Sequence, residues 1–290
     1  MLASWLELPG AAERLAAWSE ISGLDLAKLG TTATAEEITD TSVTQPLVVA
    51  ATLLAHEELT KRGLLGDADT IVAGHSVGEI AAYAIAGVIS ADDAIRLAAT
   101  RGAEMAKACA LEPTGMSAVL GGEESEVLAR LEELDLVPAN RNAAGQIVAA
   151  GAVAALDKLA EDPPAKARVR QLATAGAFHT HYMASASDGY AAAATAVTTA
   201  DSLRPSVTLL SNSDGQPVAS PADAMAKLVN QMTKPVRWDL CTETMRNHNV
   251  TAIVEFPPAG TLAGIAKREL RGVPTHAVKS PADLDGLAEI

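Results

Sequence analysis

The run DTIVAGHSVGEIAAYAIAG (69–87) constrains the fold of this chain more than any other segment. DTIVAG is short, apolar and β-branched, and it ends in glycine, so it predicts a buried strand. Ala81 to Ala86 continue as a helix. Residues 44–63 before the strand and 92–110 after it also carry helical patterns. Helix, strand and helix in alternation predict a parallel sheet covered on both faces. The turn between strand and helix holds Ser76, and its neighbours give that serine two roles. Ser76 with Glu79 three residues on is a capping-box pattern that would start the helix. The same residues spell G-x-S-x-G, the elbow that lifts a serine hydroxyl into a cleft. A plain cap needs no glycine at Gly74 and Gly78, whereas a tight elbow does. The nucleophile is therefore the favoured role, with Glu79 still expected to help cap the helix.

The middle of the chain changes character. MSAVLG (116–121), LVPANRN (136–142), QIVAAG (146–151) and ARVRQLA (167–173) predict strands. SEVLARLEEL (125–134) and VAALDKLAE (153–161) predict helices. The order βαββαβ is the ferredoxin-like arrangement, set between α/β segments as an inserted unit. After it come a helix over about 182–200 and a strand at 206–212. Helices around 221–232 and 238–248, a strand at 251–256, a further helix and a closing strand at 275–279 follow. The tail SPADLDGLAEI is expected to be mobile.

Composition removes several classes of function. A formal charge of −14 and the lack of any basic run exclude a nucleic-acid binder, which needs clustered Lys and Arg. Cys109 and Cys241 have neither disulfide-framework nor zinc spacing, so no metal or cofactor is expected and a reducing cytoplasm suits them. No apolar run is long enough to span a membrane, and no signal peptide opens the chain, so a cytoplasmic location is expected. No long amphipathic face asks for a second copy, and a monomer is expected.

A serine nucleophile needs a base. His56 and His248 lie in exposed-looking helical contexts. His75 adjoins the serine, but neighbours on an elbow point apart. His179 and His181, in TAGAFHTHYM where the inserted unit ends, are the better candidates, because clefts form at such junctions. Spacing alone does not choose between them. Arg101 on its own reads as a solvated helix charge. Buried beside the elbow, it would instead mark an anionic substrate held by a two-pronged pairing.

An ordered set of motifs now carries a resemblance over nearly the whole chain. TQP (44–46), GHSVGE (74–79), RG (101–102) and PTGMSAVLG (113–121) are followed by PANRNAAGQIVAAG (138–151). AFHTHYM (177–183), QMTKPVRW (231–238) and EFPPAGTLAGIAKR (255–268) complete it. The chain resembles the malonyl-CoA:acyl carrier protein transacylases, in an actinobacterial style. The resemblance implies an α/β fold, with an α/β-hydrolase-like large subdomain over 1–113 and 183–290 and a ferredoxin-like small one over 114–182. It implies that Ser76 is acylated, that His179 is the base, and that His181 fills a variable slot. Arg101 would pair with the malonate carboxylate, and Gln231 would orient the imidazole through its carbonyl. Gln45, Val77, Asn140, Asn142 and Phe178 match pocket positions. AFH ending at His179, with Val77 rather than Gln after the nucleophile, resembles the malonyl-selective form of the pocket. The implied partners are malonyl-CoA, as substrate, and an acidic acyl carrier protein. Lys166, Arg168 and Arg170, or Lys267, Arg268 and Arg271, are the basic groups that could meet it.

The family also opens with a strand and a GQGxQ motif whose second glutamine lends an oxyanion N–H. This chain starts at MLASWLELPG, which resembles the segment just after that loop. Losing one such donor is expected to slow transfer by about 10²–10³. Two alternatives stand beside the transferase: a serine thioesterase or esterase, and a catalytically impaired module that binds a carrier protein.

Overall fold

A computed structural model describes residues 1–64 and 69–289. The chain opens with three helices, α1 (Ala11–Ser22), α2 (Leu26–Thr31) and α3 (Ala35–Thr39). Leu15 and Trp18 of α1 are fully buried in the main core. The long helix α4 (Thr41–Lys61) starts three residues before the expected 44, because the Asp40 carboxylate accepts from Ser42 N–H and supplies an N-cap. Strand β1 (Thr70–Val72) leads to α5 (Gly78–Ile85) and α6 (Ala91–Cys109).

The βαββαβ unit follows as β2 (Thr114–Gly121), α7 (Glu124–Glu133), β3 (Val137–Ala143), β4 (Gln146–Ala152), α8 (Val153–Glu161) and β5 (Ala167–Gln171). Its strands lie in the order β5-β2-β4-β3, all antiparallel, which is the ferredoxin-like order. Val119, Leu131, Ile147, Leu156 and Leu159 form its own core under the two helices.

The rest of the chain supplies α9 (Ala184–Thr195), β6 (Val207–Leu209), α10 (Pro221–Asn230), β7 (Val236–Arg237), α11 (Trp238–Asn247), β8 (Ile253–Glu255), α12 (Thr261–Glu269) and β9 (Thr275–Ala277). Helix α9 is shorter than the expected 182–200, since a 3-10 turn at His181–Met183 precedes it. Strand β7 joins the small sheet, parallel to β3. The predicted parallel pairing is present, but as two separate ladders, β1–β6 and β8–β9. Among the described residues each of these strands has one ladder neighbour, and Ile71, Val72, Ile253 and Val254 are half-buried rather than buried.

The expectation of a mobile tail is corrected. Residues 281–289 form a 3-10 segment that sets Leu284 and Leu287 into the main core. Arg62 of the α4 C-cap clasps it, donating to Pro281 O and to Asp285 at 2.7 Å. The apolar spacing of two leucines within a polar stretch is too weak a signal to show this from sequence. Ile290 lies outside the described residues. The Leu284→Ala change should cost about 2–5 kcal/mol of stability, as a cavity left in a packed core does. A thermal or urea melt checks it, and an unchanged midpoint would mean that the tail is loose.

Candidate active site

The turn after β1 is a strained elbow. Ser76 has φ +54°, in the left-handed region that side chains other than glycine avoid. Such strain costs about 1–3 kcal/mol and persists where surrounding bonds over-determine it. Here one side chain does so. Asn212 Nδ2 donates to Gly74 O at 2.7 Å, and Asn212 Oδ1 accepts from Ser76 N–H at 2.8 Å. Gly74 is obligatory, since a Cβ there would sit 2.0 Å from Gly78 O. Gly78 is not, because a Cβ there meets open space. The elbow therefore requires glycine at position 74 and not at 78.

The capping box is absent. Ser76 Oγ bonds His179, the Ser76 N–H goes to Asn212, and the Glu79 side chain turns into the interior. Helix α5 begins with no side-chain cap. Among the described residues no acceptor takes the Val77 N–H, which stands at the positive end of α5.

His179 is brought to Ser76 across 103 residues, with Nε2 2.7 Å from Oγ. It too has positive φ, +61°. Its loop is pinned on both sides: Ala177 N–H donates to Thr114 Oγ1, and Thr180 Oγ1 donates to Ala177 O. His179 Nδ1 lies 2.9 Å from the main-chain O of Gln231. A carbonyl accepts and cannot donate, so Nδ1 carries the proton and Nε2 faces the serine with its lone pair. Burial, reinforced by the Arg101 charge, depresses the imidazole to about 3. His181 is exposed and stacks near Tyr182, away from the serine. His56 is half-buried against Phe256 rather than exposed.

Arg101 is not a solvated charge. It is 1% exposed, on the face of α6 that meets α4 and α9. Nη1 donates to Gln45 Oε1 at 2.7 Å and Nη2 to Gln231 Oε1 at 2.8 Å. Nη2 also points at Ser76 Oγ, 3.4 Å away. Nε is buried with no hydrogen-bond partner among the described residues. A donor left unsatisfied in a dry interior costs free energy, so an acceptor brought to Nε would be favoured.

The pocket positions divide. Gln45 and Gln231 join the Arg101 network. Gln45 Nε2 is anchored on Thr41 Oγ1 at 2.8 Å. Asn142 instead pairs with His75 Nε2 at 2.8 Å, and His75 packs edge-on against Trp238. Asn140 is buried in β3 opposite Val236, with no bond to the serine or histidine. Phe178 is half-buried, packed against the main core and against a separate cluster that includes Met116, Val148 and Ala177. Sequence reasoning missed Asn212 and the interior role of Glu79. The signals were present: Ser211 and Asn212 are polar residues at the carboxyl end of a parallel strand, where crevices form. Glu79 is an acid in an otherwise apolar helical run. Among the described residues no group of three or more His, Cys, Asp or Glu is placed to hold a metal. No helix among them is long and apolar enough to cross a membrane.

A strained serine, a neutral imidazole on its hydroxyl and a buried guanidinium beside both can carry an acyl group on oxygen. The chain belongs to the acyl transferase domain family, whose pattern matches residues 11–282. It is 81% identical over 294 residues to the malonyl CoA-acyl carrier protein transacylase of Mycolicibacterium smegmatis, spanning 100% of both chains. Its fold is similar to the crystal structure of MCAT from Mycobacterium tuberculosis, with a TM-score of 0.96 and 75% identity over 99% of this chain and 94% of that one. It is also similar, at 28% identity and a TM-score of 0.92, to a malonyl-transacylase solved with its type II PKS acyl-carrier protein. That match spans 100% of this chain and 94% of the other.

The depressed imidazole sets a pH prediction. His179 stays neutral far below the ordinary histidine value of about 6.5, so the base is present throughout. Acylation of the enzyme should not fall between about pH 7 and pH 5. A rapid-quench pH profile checks this, and a descending limb near 6.5 would contradict it.

Proposed function

We propose that this chain transfers the malonyl group of malonyl-CoA to the pantetheine thiol of an acyl carrier protein, through a malonyl ester on Ser76. The observation that carries the reading is the buried Nε of Arg101, without a hydrogen-bond partner among the described residues, on a guanidinium whose Nη2 lies 3.4 Å from the serine hydroxyl. A neutral acyl group gives that donor nothing, whereas a free carboxylate on the acyl chain satisfies it with a charge-assisted bond. This favours a malonyl transferase over a hydrolase of neutral esters. The high identity to curated transacylases supports the same reading.

Ser76 Oγ attacks the thioester carbonyl while its proton passes to His179 Nε2. The imidazolium is stabilised by the Gln231 carbonyl on Nδ1. The oxyanion meets the Val77 N–H at the helix terminus. The C–S bond breaks, and the leaving thiolate takes the proton back from His179. The malonyl ester then waits with its carboxylate on Nε and Nη2 of Arg101. The carrier-protein thiol gives its proton to His179 and attacks the ester, and Ser76 recovers a proton as it leaves. This is a ping-pong scheme, and it uses no cofactor.

Ser76 belongs to the 1–113 segment and His179 to the 114–182 segment, so we place the reaction where the two subdomains meet. The carrier protein would reach it over exposed basic groups. Lys166, Arg168 and Arg170 on and beside β5, and Lys267, Arg268 and Arg271 at the end of α12, are all exposed. A cytoplasmic monomer suits this role.

The Arg101→Ala change tests the reading. Removing one partner of a buried charge pair costs about 2–5 kcal/mol. The kcat/KM ratio for malonyl-CoA over acetyl-CoA should therefore fall at least about tenfold. A ratio that does not change would show that Arg101 does not hold the carboxylate.

A further inference from the structure

Glu79 is the one acid of α5, and it is fully buried. Among the described residues no cation touches it. Its Oε1 accepts from Asn212 N–H at 2.6 Å and its Oε2 from Gln231 Nε2 at 2.5 Å. The other end of the same amide, Gln231 Oε1, accepts from Arg101 Nη2. A carboxylate can accept and a guanidinium can donate, so the amide stands in one orientation between them. Arg101 and Glu79 thus form a buried pair of opposite charges joined through a neutral side chain. With the substrate pocket empty, their charges cancel.

A malonyl group on Ser76 upsets that balance. Its carboxylate adds a negative charge to a site that already holds one carboxylate and one guanidinium. Burying an unbalanced charge is costly, and the usual relief is a change of protonation. We propose that Glu79 is the proton-accepting counter-charge of this site, positioning Gln231 while ionised and taking up one proton when the malonyl carboxylate docks on Arg101. This rests on the reading of Arg101 given above.

The surroundings support it. The titratable groups facing Glu79 are Arg101 from α6, Tyr83 on its own helix, Tyr190 from α9 and Cys241 from α11. The tyrosines and the cysteine are all pushed upward by burial and stay neutral, and His179 beyond Gln231 is neutral too. Arg101 is therefore the one charge in this group that Glu79 meets near neutral pH. Burial pushes Glu79 up to about 7, against the opposing pull of the Asn212 N–H and Arg101. The proton comes from bulk buffer and no other bond breaks. Glu79 does not touch the acyl group, so it is a positioning residue that sets a charge preference.

The test measures protons. Enzyme is acylated to completion in weak buffer at about pH 7.5 with an indicator dye, once with malonyl-CoA and once with acetyl-CoA. Both reactions release the same CoA thiol, so its ionisation cancels in the difference. Wild type should take up about half a proton or more per malonyl-serine beyond the acetyl value. Its kcat/KM for malonyl-CoA should fall severalfold from about pH 7 to pH 8.5 while that for acetyl-CoA does not. The Glu79→Gln variant, which mimics the protonated acid, should take up no extra proton and lose that malonyl-specific decline. Equal proton change for the two acyl groups in wild type would overturn the proposal, and so would an undiminished difference in the variant. If Glu79→Gln does not fold, the wild-type comparison decides alone. The Arg101→Ala ratio separates the two claims. If that ratio is unchanged, the reading of Arg101 fails. If it collapses while wild type takes up no extra proton, this inference alone fails.

Discussion

A guanidinium and a carboxylate buried in a dry interior need groups that connect them, and in this chain the connection is Gln231. Its amide bridges Arg101 and Glu79, and its main-chain carbonyl holds the proton-bearing nitrogen of His179. Three groups that the sequence keeps far apart are set by one residue. The tautomer of the imidazole, the direction of the guanidinium and the charge balance beneath the serine all depend on it. Gln231 itself is held by its place in the turn between α10 and β7. The family fold is thus a means of bringing that turn against the β1–α5 elbow.

Strain is the second constraint. Ser76 and His179 both have left-handed backbones, and each is held by bonds on either side. Asn212 grips the elbow at Gly74 O and Ser76 N–H, and Thr114 and Thr180 pin the histidine loop. Strain of this kind fixes the reacting atoms before substrate arrives, so less ordering is left to the chemical step. The buried Nε of Arg101 belongs to the same arrangement, since it is a donor with no acceptor among the described residues.

Much of this was legible in the sequence, for identifiable reasons. The ferredoxin-like unit was clear because its strands and helices alternate in short, strongly patterned runs. The elbow was clear because strand, glycine and helix follow one another without a break. The fate of Arg101 was not, because a cation on a helix is exposed unless other elements cover it, and α9 begins only at Ala184. Glu79 and Asn212 were hidden for the same reason: each is an ordinary polar residue locally, and their partnership crosses 133 residues. The three opening helices and the docked tail gave little periodic signal, and tertiary packing of Leu15, Trp18, Leu284 and Leu287 decides them.

The proposed reaction depends on Ser76 carrying the malonyl group. Intact-mass and peptide mapping after brief incubation with malonyl-CoA test it most directly. One malonyl adduct is expected, on the peptide containing Ser76, discharged when holo acyl carrier protein is added and absent in Ser76→Ala. An adduct on another residue, or CoA release from malonyl-CoA with no adduct on Ser76, would contradict it.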